Sequence, residues 1–345
     1  MGANCCQEPS ASSFRLTQGS TKAEWNAVQF SELCDNIYRN VECQDAYIFE
    51  EAAILGCGFI VSVNGVFVSE TRYLATDMER RVANSFRNAP VYFDDDCCWI
   101  IAGNASSSGN YWHWFAQILP AIAHSVELLR SIGENNYKIV FPPLRKWQAE
   151  SLDLISYTIG VERVELNVFE TAFAKRVVYS PLMGARVPYA NNRYRQNIRH
   201  EIIDRCGSFS SGFDRIVISR RDTGKRRILN EAELHEALAE RGFFVFTGSS
   251  LGFHDQVSIS NTAKIIVSPH GAGGANCLFC QSGATYIELM QQSYVNGGPI
   301  SLAKTSGINV IVDFFQDDGR GEKTDGWFVD IDSVLKTLDM IGDAQ

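Results

Sequence analysis

The sequence predicts an α/β protein built as two domains, and three observations carry that prediction. Short β-rich runs alternate with segments of helical period along most of the chain, the pattern of a parallel sheet with helices on both faces. The length, 345 residues, suits two domains of roughly 100–200 residues each. Around 207–213 the chain reads Gly-Ser-Phe-Ser-Ser-Gly-Phe, a linker composition. The expected division is a flexible tail over 1–24, an N-terminal α/β domain over 25–209 and a C-terminal α/β domain over 210–322. A final helix over 323–345 is expected to pack back on the N-terminal domain.

The elements follow in order. From Ala46 to Arg72, β-rich stretches alternate with Gly and Asn, as in strands and hairpins. Trp99-Ile100-Ile101 is a strand between an acidic turn and a Gly/Asn/Ser loop that ends at Gly109. Over Tyr111–Arg130, Phe115, Leu119, Ile122, Val126 and Leu129 recur at helical spacing, and Pro120 predicts a kink. His113, Gln117 and His124 share another face of that helix. Lys138–Pro142 is a strand, Trp147–Ile159 a helix, Val177–Tyr179 a strand and Arg193–Arg205 a helix. In the second domain Arg215–Ser219 is a strand, and a basic loop runs on through Arg227. Asn230–Arg241 is a helix with Glu231 and Glu233 in its first turn, where the helix dipole favours acids. Next come the strand Phe243–Phe246, the helix His254–Asn261 and the strand Lys264–Ser268. A Gly-rich loop, His270–Asn276, then opens a helix, and Tyr286–Leu289 and Val310–Phe314 are further strands.

Charge and composition exclude several classes. Forty acids against 31 basic residues give a net charge of −9, which argues against a nucleic-acid binder. The apolar stretch from Ala52 to Ser69 is broken by Gly56, Gly58, Ser62, Asn64 and Gly65, which suits a hairpin and not a membrane span. The first 25 residues hold no apolar signal-peptide core. A cytoplasmic protein with reduced thiols is therefore expected for the ten cysteines. Cys277-x-x-Cys280 lacks the second ligand pair of a zinc site and reads as buried thiols. At the N-terminus, Gly2 stands where a myristoyl group would attach, and Cys5 and Cys6 where palmitoyl could follow. Peripheral association with a membrane surface and an unmodified tail are both open.

Two segments carry the chemistry. Between Arg215 and Arg227 lie six basic residues and one acid, Asp222, just beyond a strand. Ligands of open α/β sheets bind there, and an arginine fork matches phosphate oxygens. A diphosphate clamp and a solvated basic loop are the two readings. The second segment, Pro269-His270-Gly271-Ala272-Gly273-Gly274-Ala275-Asn276, follows an apolar strand. Its small residues let backbone amides approach an anion at a helix start. It fails as a dinucleotide fingerprint, because Asn276 stands where Gly or Ala is required. Gly248-x-Ser250-x-Gly252 fits a nucleophile elbow, but no catalytic histidine follows the oxyanion-like segment, so a chance match is the better reading. Asp94-Asp95-Asp96 holds a D-x-D with no other ligand near it and reads as a solvated turn.

These residues resemble glycosyltransferase family 61. The resemblance rests on Ser219-Arg220, the run from Arg226 through Asn230-Glu231 to Leu234, Gly242-Phe243, Gln256 and Ala263. It continues through Pro269-His270-Gly271-Ala272, Asn276-Cys277-Leu278-Phe279, Gly283 and Ile287-Glu288-Leu289. Upstream, Asn110-Tyr111-Trp112-His113-Trp114 and Ile118-Leu119-Pro120 resemble the family's Tyr-His-Trp helix. The resemblance implies a GT-B-like fold, two Rossmann-like domains with a nucleotide-sugar cleft between them. It also implies inverting transfer from a nucleotide-sugar, usually UDP-linked, to a glycan or glycoconjugate acceptor, as in polysaccharide biosynthesis. The N-terminal domain would then face the acceptor. One departure is Gln117, where the family is often acidic; an amide cannot act as a base.

On this reading Arg220, Arg226 and the amides of Gly271, Ala272 and Gly273 stabilise the leaving diphosphate, with Asn276 in the same loop. No cofactor and no metal are expected. Glu288 would accept hydrogen bonds from ribose or sugar hydroxyls. Asn230 and Glu231 either contact the ligand or cap a helix. His270 either contacts phosphate or orders its loop. Inversion needs a base for the acceptor proton; His113 is the candidate, a structural histidine the alternative. A catalytically inactive nucleotide- or glycan-binding protein of the same fold, and an unrelated Rossmann-like oxidoreductase, are the competing classes.

Overall fold

The structure, a computed structural model, describes residues 14–18, 45–94, 96–106, 109–184, 192–207, 212–292, 294–315 and 326–342. The chain divides into two compact units. One is Arg39–Arg205; the other joins the β1 segment (Phe14–Gln18) to Cys206–Gln345.

In the N-terminal unit the strands are β2 (Tyr47–Leu55), β3 (Ile60–Val63), β4 (Val66–Phe67), β5 (Val91–Tyr92), β6 (Cys98–Ile101), β7 (Tyr137–Phe141), β8 (Arg163–Glu165) and β9 (Thr171–Tyr179). They form one sheet in the order β4-β3-β2-β9-β6-β7-β8, with β5 paired to β9. Only β5 to β9 pair in parallel. β2, β3 and β4 add to β9 as an antiparallel meander. This corrects the expectation of two Rossmann-like domains, since the N-terminal sheet is mixed. The cause is local: Gly58 and Gly65 at positive φ close two tight reversals, which only antiparallel neighbours can use.

Helices α1 (Met78–Ser85), α2 (residues 111–131), α3 (Lys146–Leu152) and α4 (Arg193–Cys206) complete this unit. α3 stops seven residues short of the expected Ile159. The Thr158 hydroxyl donates to the carbonyls of Leu152 and Ile155, offering the backbone an alternative to another helical turn.

The C-terminal sheet is wholly parallel. Its strands are β10 (Arg215–Ser219), β11 (Phe244–Thr247), β12 (Ile265–Pro269), β13 (Thr285–Gln291) and β14 (Asn309–Phe315), in the order β1-β14-β13-β12-β10-β11. β12 and β13 are buried along their whole length, as central strands of a parallel sheet are, and β13 encloses Glu288 among its apolar residues. Helices α5 (Glu231–Glu240), α6 (Phe253–Thr262), α7 (Gly298–Ser306) and α8 (Ile331–Gly342) belong to this unit.

Two further expectations are corrected here. The tail over 1–24 contains β1, which extends the C-terminal sheet in register with β14. The helix within 323–345 packs on its own unit: Val334 and Leu338 of α8 enter one core with Val217, Leu234, Leu238 and Val267. An ion pair of 2.6 Å between Arg241 and Asp339 stands beside it. Leu234 and Leu238 of α5 present an apolar stripe that α8 covers, so burial of that stripe decides where the last helix docks.

Candidate donor site and acceptor-proton site

Counting from β10, the sheet order β11-β10-β12-β13-β14 reverses direction between β10 and β12. At that switch point two neighbouring strands send their chains to opposite sides, and a crevice opens at their carboxyl ends. β10 ends at Ser219 and β12 at Pro269, so Arg220 and His270 stand at its lip. The two segments singled out from the sequence meet there.

Arg220 lies over Gly271. A Cβ built on Gly271 would sit 1.6 Å from Arg220 Nη1, so only glycine leaves room for the guanidinium. Burial first, and then the charge of Arg226, bring the Arg220 pKa down to about 10; it remains cationic at neutral pH. Its Nη2 donates to the Lys225 carbonyl at 3.1 Å. Arg226 has φ +52°, an unusual left-handed conformation for a non-glycine residue. Trp327 braces it: the indole N–H donates to the Arg226 carbonyl at 3.2 Å, and the Trp327 backbone bonds Arg227 and Leu229. Both Arg220 Nε and Arg226 Nε are buried without a hydrogen-bond partner among the described residues.

The other predicted residues divide into contacts and struts. Glu231 is buried, and its Oε1 accepts from the Ser219 hydroxyl at 2.8 Å and the Arg220 N–H at 3.0 Å. Burial alone would raise its pKa, but bonds from His235, Arg220 and Ser219 outweigh it and hold the carboxyl below its ordinary value. Glu231 thus fixes the backbone from which Arg220 projects. Asn230 neither caps α5 with its side chain nor points to the crevice loop: its amide donates to the Val329 carbonyl at 2.8 Å and accepts from the Val329 N–H at 3.0 Å.

His270 is buried and its Nδ1 stands 2.5 Å from Glu288 Oε1. Glu288 is wholly enclosed in β13. Burial raises its pKa, against the opposing effects of His270 and Arg226. Glu288 thus orients His270 through Oε1, while its Oε2 is buried without a hydrogen-bond partner among the described residues. Ala272 and Gly273 open a 3₁₀ helix, Ala272–Phe279, in place of the expected α-helix. Gly273 packs 3.1 Å from Ile218 and Gly274 close to Tyr286 and Pro299, measured from a built Cβ. Asn276 donates to Gln256 Oε1 at 3.0 Å and to the Gly273 carbonyl at 3.1 Å, so it holds the loop's shape.

One residue escaped the sequence reading. Tyr294 follows β13, its N–H donating to the Gln291 carbonyl at 3.1 Å in a tight turn. Its ring lies 4.5 Å from the Arg226 guanidinium carbon and 5.3 Å from the His270 ring. Nothing periodic marks it; a lone tyrosine after a strand carries no signal.

In the N-terminal unit, α2 contains a π-helical turn, Trp114–Ile118, in which the Leu119 N–H reaches the Trp114 carbonyl. Pro120 has no N–H to give the Ala116 carbonyl, which accepts from buried Arg195 Nε at 2.9 Å instead. The expected kink at Pro120 takes this form. The wider turn brings His113 Nδ1 to 2.6 Å from Gln117 Oε1. The Gln117 amide nitrogen donates to the Gly184 carbonyl at 3.2 Å, which leaves its oxygen for His113. Neutral His113 therefore carries its proton on Nδ1 and its lone pair on Nε2. Burial lowers its pKa despite the Gln117 bond. Gln117 is no base, but its oxygen fixes the tautomer of His113.

The remaining sequence motifs are accounted for. Asp94 pairs with Lys138 at 2.7 Å, and Lys138 also holds Glu162 at 2.9 Å; Asp95 lies outside the described residues. Ser250 donates to the Thr247 carbonyl at 2.8 Å within a turn. Cys277 and Cys280 are both buried. No described helix is long and apolar enough to cross a membrane. Gly2, Cys5 and Cys6 lie outside the described residues.

Comparison with known proteins places this geometry in a class. The family description Glycosyltransferase 61 matches residues 111–287, more than half of the chain, and the chain belongs to that family. Membership removes the unrelated-oxidoreductase alternative. Among curated relatives, the EGF domain-specific O-linked N-acetylglucosamine transferase of Bos taurus is 32% identical over 101 residues, 28% of this chain and 19% of the relative. The protein of the same name from Mus musculus is 30% identical over 127 residues, 34% and 23% of the two chains. The protein O-linked-mannose beta-1,4-N-acetylglucosaminyltransferase 2 of Canis lupus familiaris is 30% identical over 186 residues, 49% and 31% of the two chains. The chain thus spans under a third of the length of these relatives.

Proposed function

We propose that this chain transfers a sugar, with inversion, from a UDP-linked donor to a glycan or glycoconjugate acceptor. The observation that carries the proposal is the pair of arginines at the switch point, each with a buried Nε lacking a partner among the described residues. A buried donor left unpaired costs about 1–3 kcal/mol, and a diphosphate satisfies both. As the glycosidic bond breaks, negative charge grows on the diphosphate, and Arg220 and Arg226 are placed to stabilise it. His270, held by Glu288 through Nδ1, keeps Nε2 for a further contact. These cations do the work a metal ion does elsewhere, so the proposal gives no metal a role.

His113 is assigned the acceptor proton. Its Nε2 lone pair takes the proton from the attacking hydroxyl, while Gln117 holds Nδ1–H. The names of the family relatives, which specify N-acetylglucosamine transfer, support sugar transfer as the class of activity.

Calorimetric titration with UDP in EDTA-containing buffer tests the donor half. The chain is expected to bind, and Arg226→Ala to weaken binding by roughly 10- to 150-fold, the worth of a charge-assisted hydrogen bond. Absence of wild-type binding in EDTA, or unchanged affinity in the variant, would refute the clamp. A binding but inactive protein would support the second reading, which Gln117 favours because its amide replaces an acid; donor turnover measured beside binding separates the two.

A further inference from the structure

Arg220 and Arg226 pose an electrostatic problem when no anion lies between them. Each carries a positive charge, and the charge of Arg226 counts among the causes that lower the Arg220 pKa. Arg226 must also hold a left-handed backbone, φ +52°, a conformation that strains a non-glycine residue. Something must keep the pair in place before ligand arrives. The ring that lies over Arg226 is that of Tyr294, 4.5 Å away. An aromatic face presents negative electrostatic potential to a cation without neutralising it or occupying its N–H groups. A carboxylate in the same position would occupy those groups and compete with the diphosphate.

We propose that Tyr294 is a positioning residue of the donor site, its ring face holding the Arg226 guanidinium in the anion-ready geometry. The inference rests on the donor reading above. Tyr294 also borders His270, ring to ring at 5.3 Å, so one side chain touches both halves of the crevice lip. Its own position is set by the tight turn to Gln291 at the end of β13. The ring acts through its face, so the hydroxyl is dispensable.

UDP titration of Tyr294→Phe, Tyr294→Leu and Arg226→Ala, with the double variant Tyr294→Leu/Arg226→Ala, tests this. Phe is expected to bind within about twofold of wild type, and Leu to lose roughly 3- to 30-fold, the range of a cation–π contact. In the Arg226→Ala background, Tyr294→Leu is expected to add nothing, because its effect passes through Arg226. Tyr294→Gln is the second non-aromatic variant should Leu not fold. Loss on Tyr294→Phe, or an undiminished Leu effect without Arg226, would show a direct contact with the ligand and overturn the positioning role. Full UDP binding by the non-aromatic variants, with Arg226→Ala still impaired, would overturn this inference and leave the donor reading standing. A wild-type chain that ignores UDP would overturn both.

Discussion

At the scale of single residues, the hydrogen-bond partners decide what each side chain can do. His113 and His270 are both half of a pair, but the pairs differ in sign. Glu288 can hold a negative charge against His270, whereas Gln117 offers His113 only a neutral oxygen. With no anion to favour the imidazolium, burial dominates and lowers the His113 pKa. A base must be neutral to work, so on the proposed assignment the lowered pKa keeps His113 competent to a pH below the ordinary histidine value of about 6.5. Transfer is therefore expected to hold flat through neutral pH and to fall only on the acid side of that value. Gln117→Glu places a carboxylate 4 residues along the same helix face and should move the acid limb upward. His113→Ala should lower kcat by about 100-fold or more, with UDP affinity unchanged. A folded His113→Ala variant within about threefold of wild-type turnover would make the residue structural.

At the scale of elements, the proposed donor site depends on a close approach between two segments about fifty residues apart. The approach depends on Gly271, whose extended backbone, φ 169°, any residue could adopt; the missing Cβ matters because Arg220 lies over it. Gly271→Ala should therefore cost little stability, since the atom displaced is the far end of a flexible side chain. It should cost UDP affinity about as much as Arg220→Ala, and the double variant should be no worse than either. Equal affinity of wild type and Gly271→Ala would mean that the guanidinium position does not matter. Much of this was legible in advance. β10 matches its sequence reading at both ends, and β12 reads as an apolar run because a central parallel strand is buried on both faces. The 3₁₀ form of Ala272–Phe279 was not legible: a string of small residues suits several tight conformations, and the fit against Ile218, Tyr286 and Pro299 selects among them. Asn230 looked like a helix cap or a ligand contact because its partner, Val329, lies 99 residues away. Tyr294 was invisible for the same reason. The local pattern of β2, β3 and β4 predicts hairpins, but nothing in it shows that the meander joins the parallel strands through β9.

At the scale of the whole molecule, stability must follow pH through the buried titratable groups, and one of them sits in the core of the C-terminal unit. Asp313 lies in β14, fully buried, with the Thr337 hydroxyl of α8 as a neighbour at 3.1 Å. Burial pushes its pKa up to about 7, and the Thr337 bond opposes the shift only in part. The folded-state value thus exceeds the unfolded one, near 3.8. Protonated Asp313 is neutral and sits comfortably in the fold; ionised, it is a buried charge answered among the described residues by the Thr337 hydroxyl. Its stabilising effect relative to the unfolded chain is complete below about pH 4 and is lost as pH rises toward 7. Above that the cost is constant, on the order of 4 kcal/mol at full ionisation. The histidines act in the opposite direction: burial lowers His113 and His124, so they cost stability as pH falls below about 6.5. Raw Tm against pH mixes the two, and the informative quantity is the difference between wild type and Asp313→Asn. Asn has the same shape, can still accept from Thr337 and never ionises. The variant should gain Tm over wild type progressively between about pH 4 and 7 and hold that gain at pH 8. A difference that stays constant from pH 4 to 8 would mean that Asp313 does not change its charge in the fold over that range.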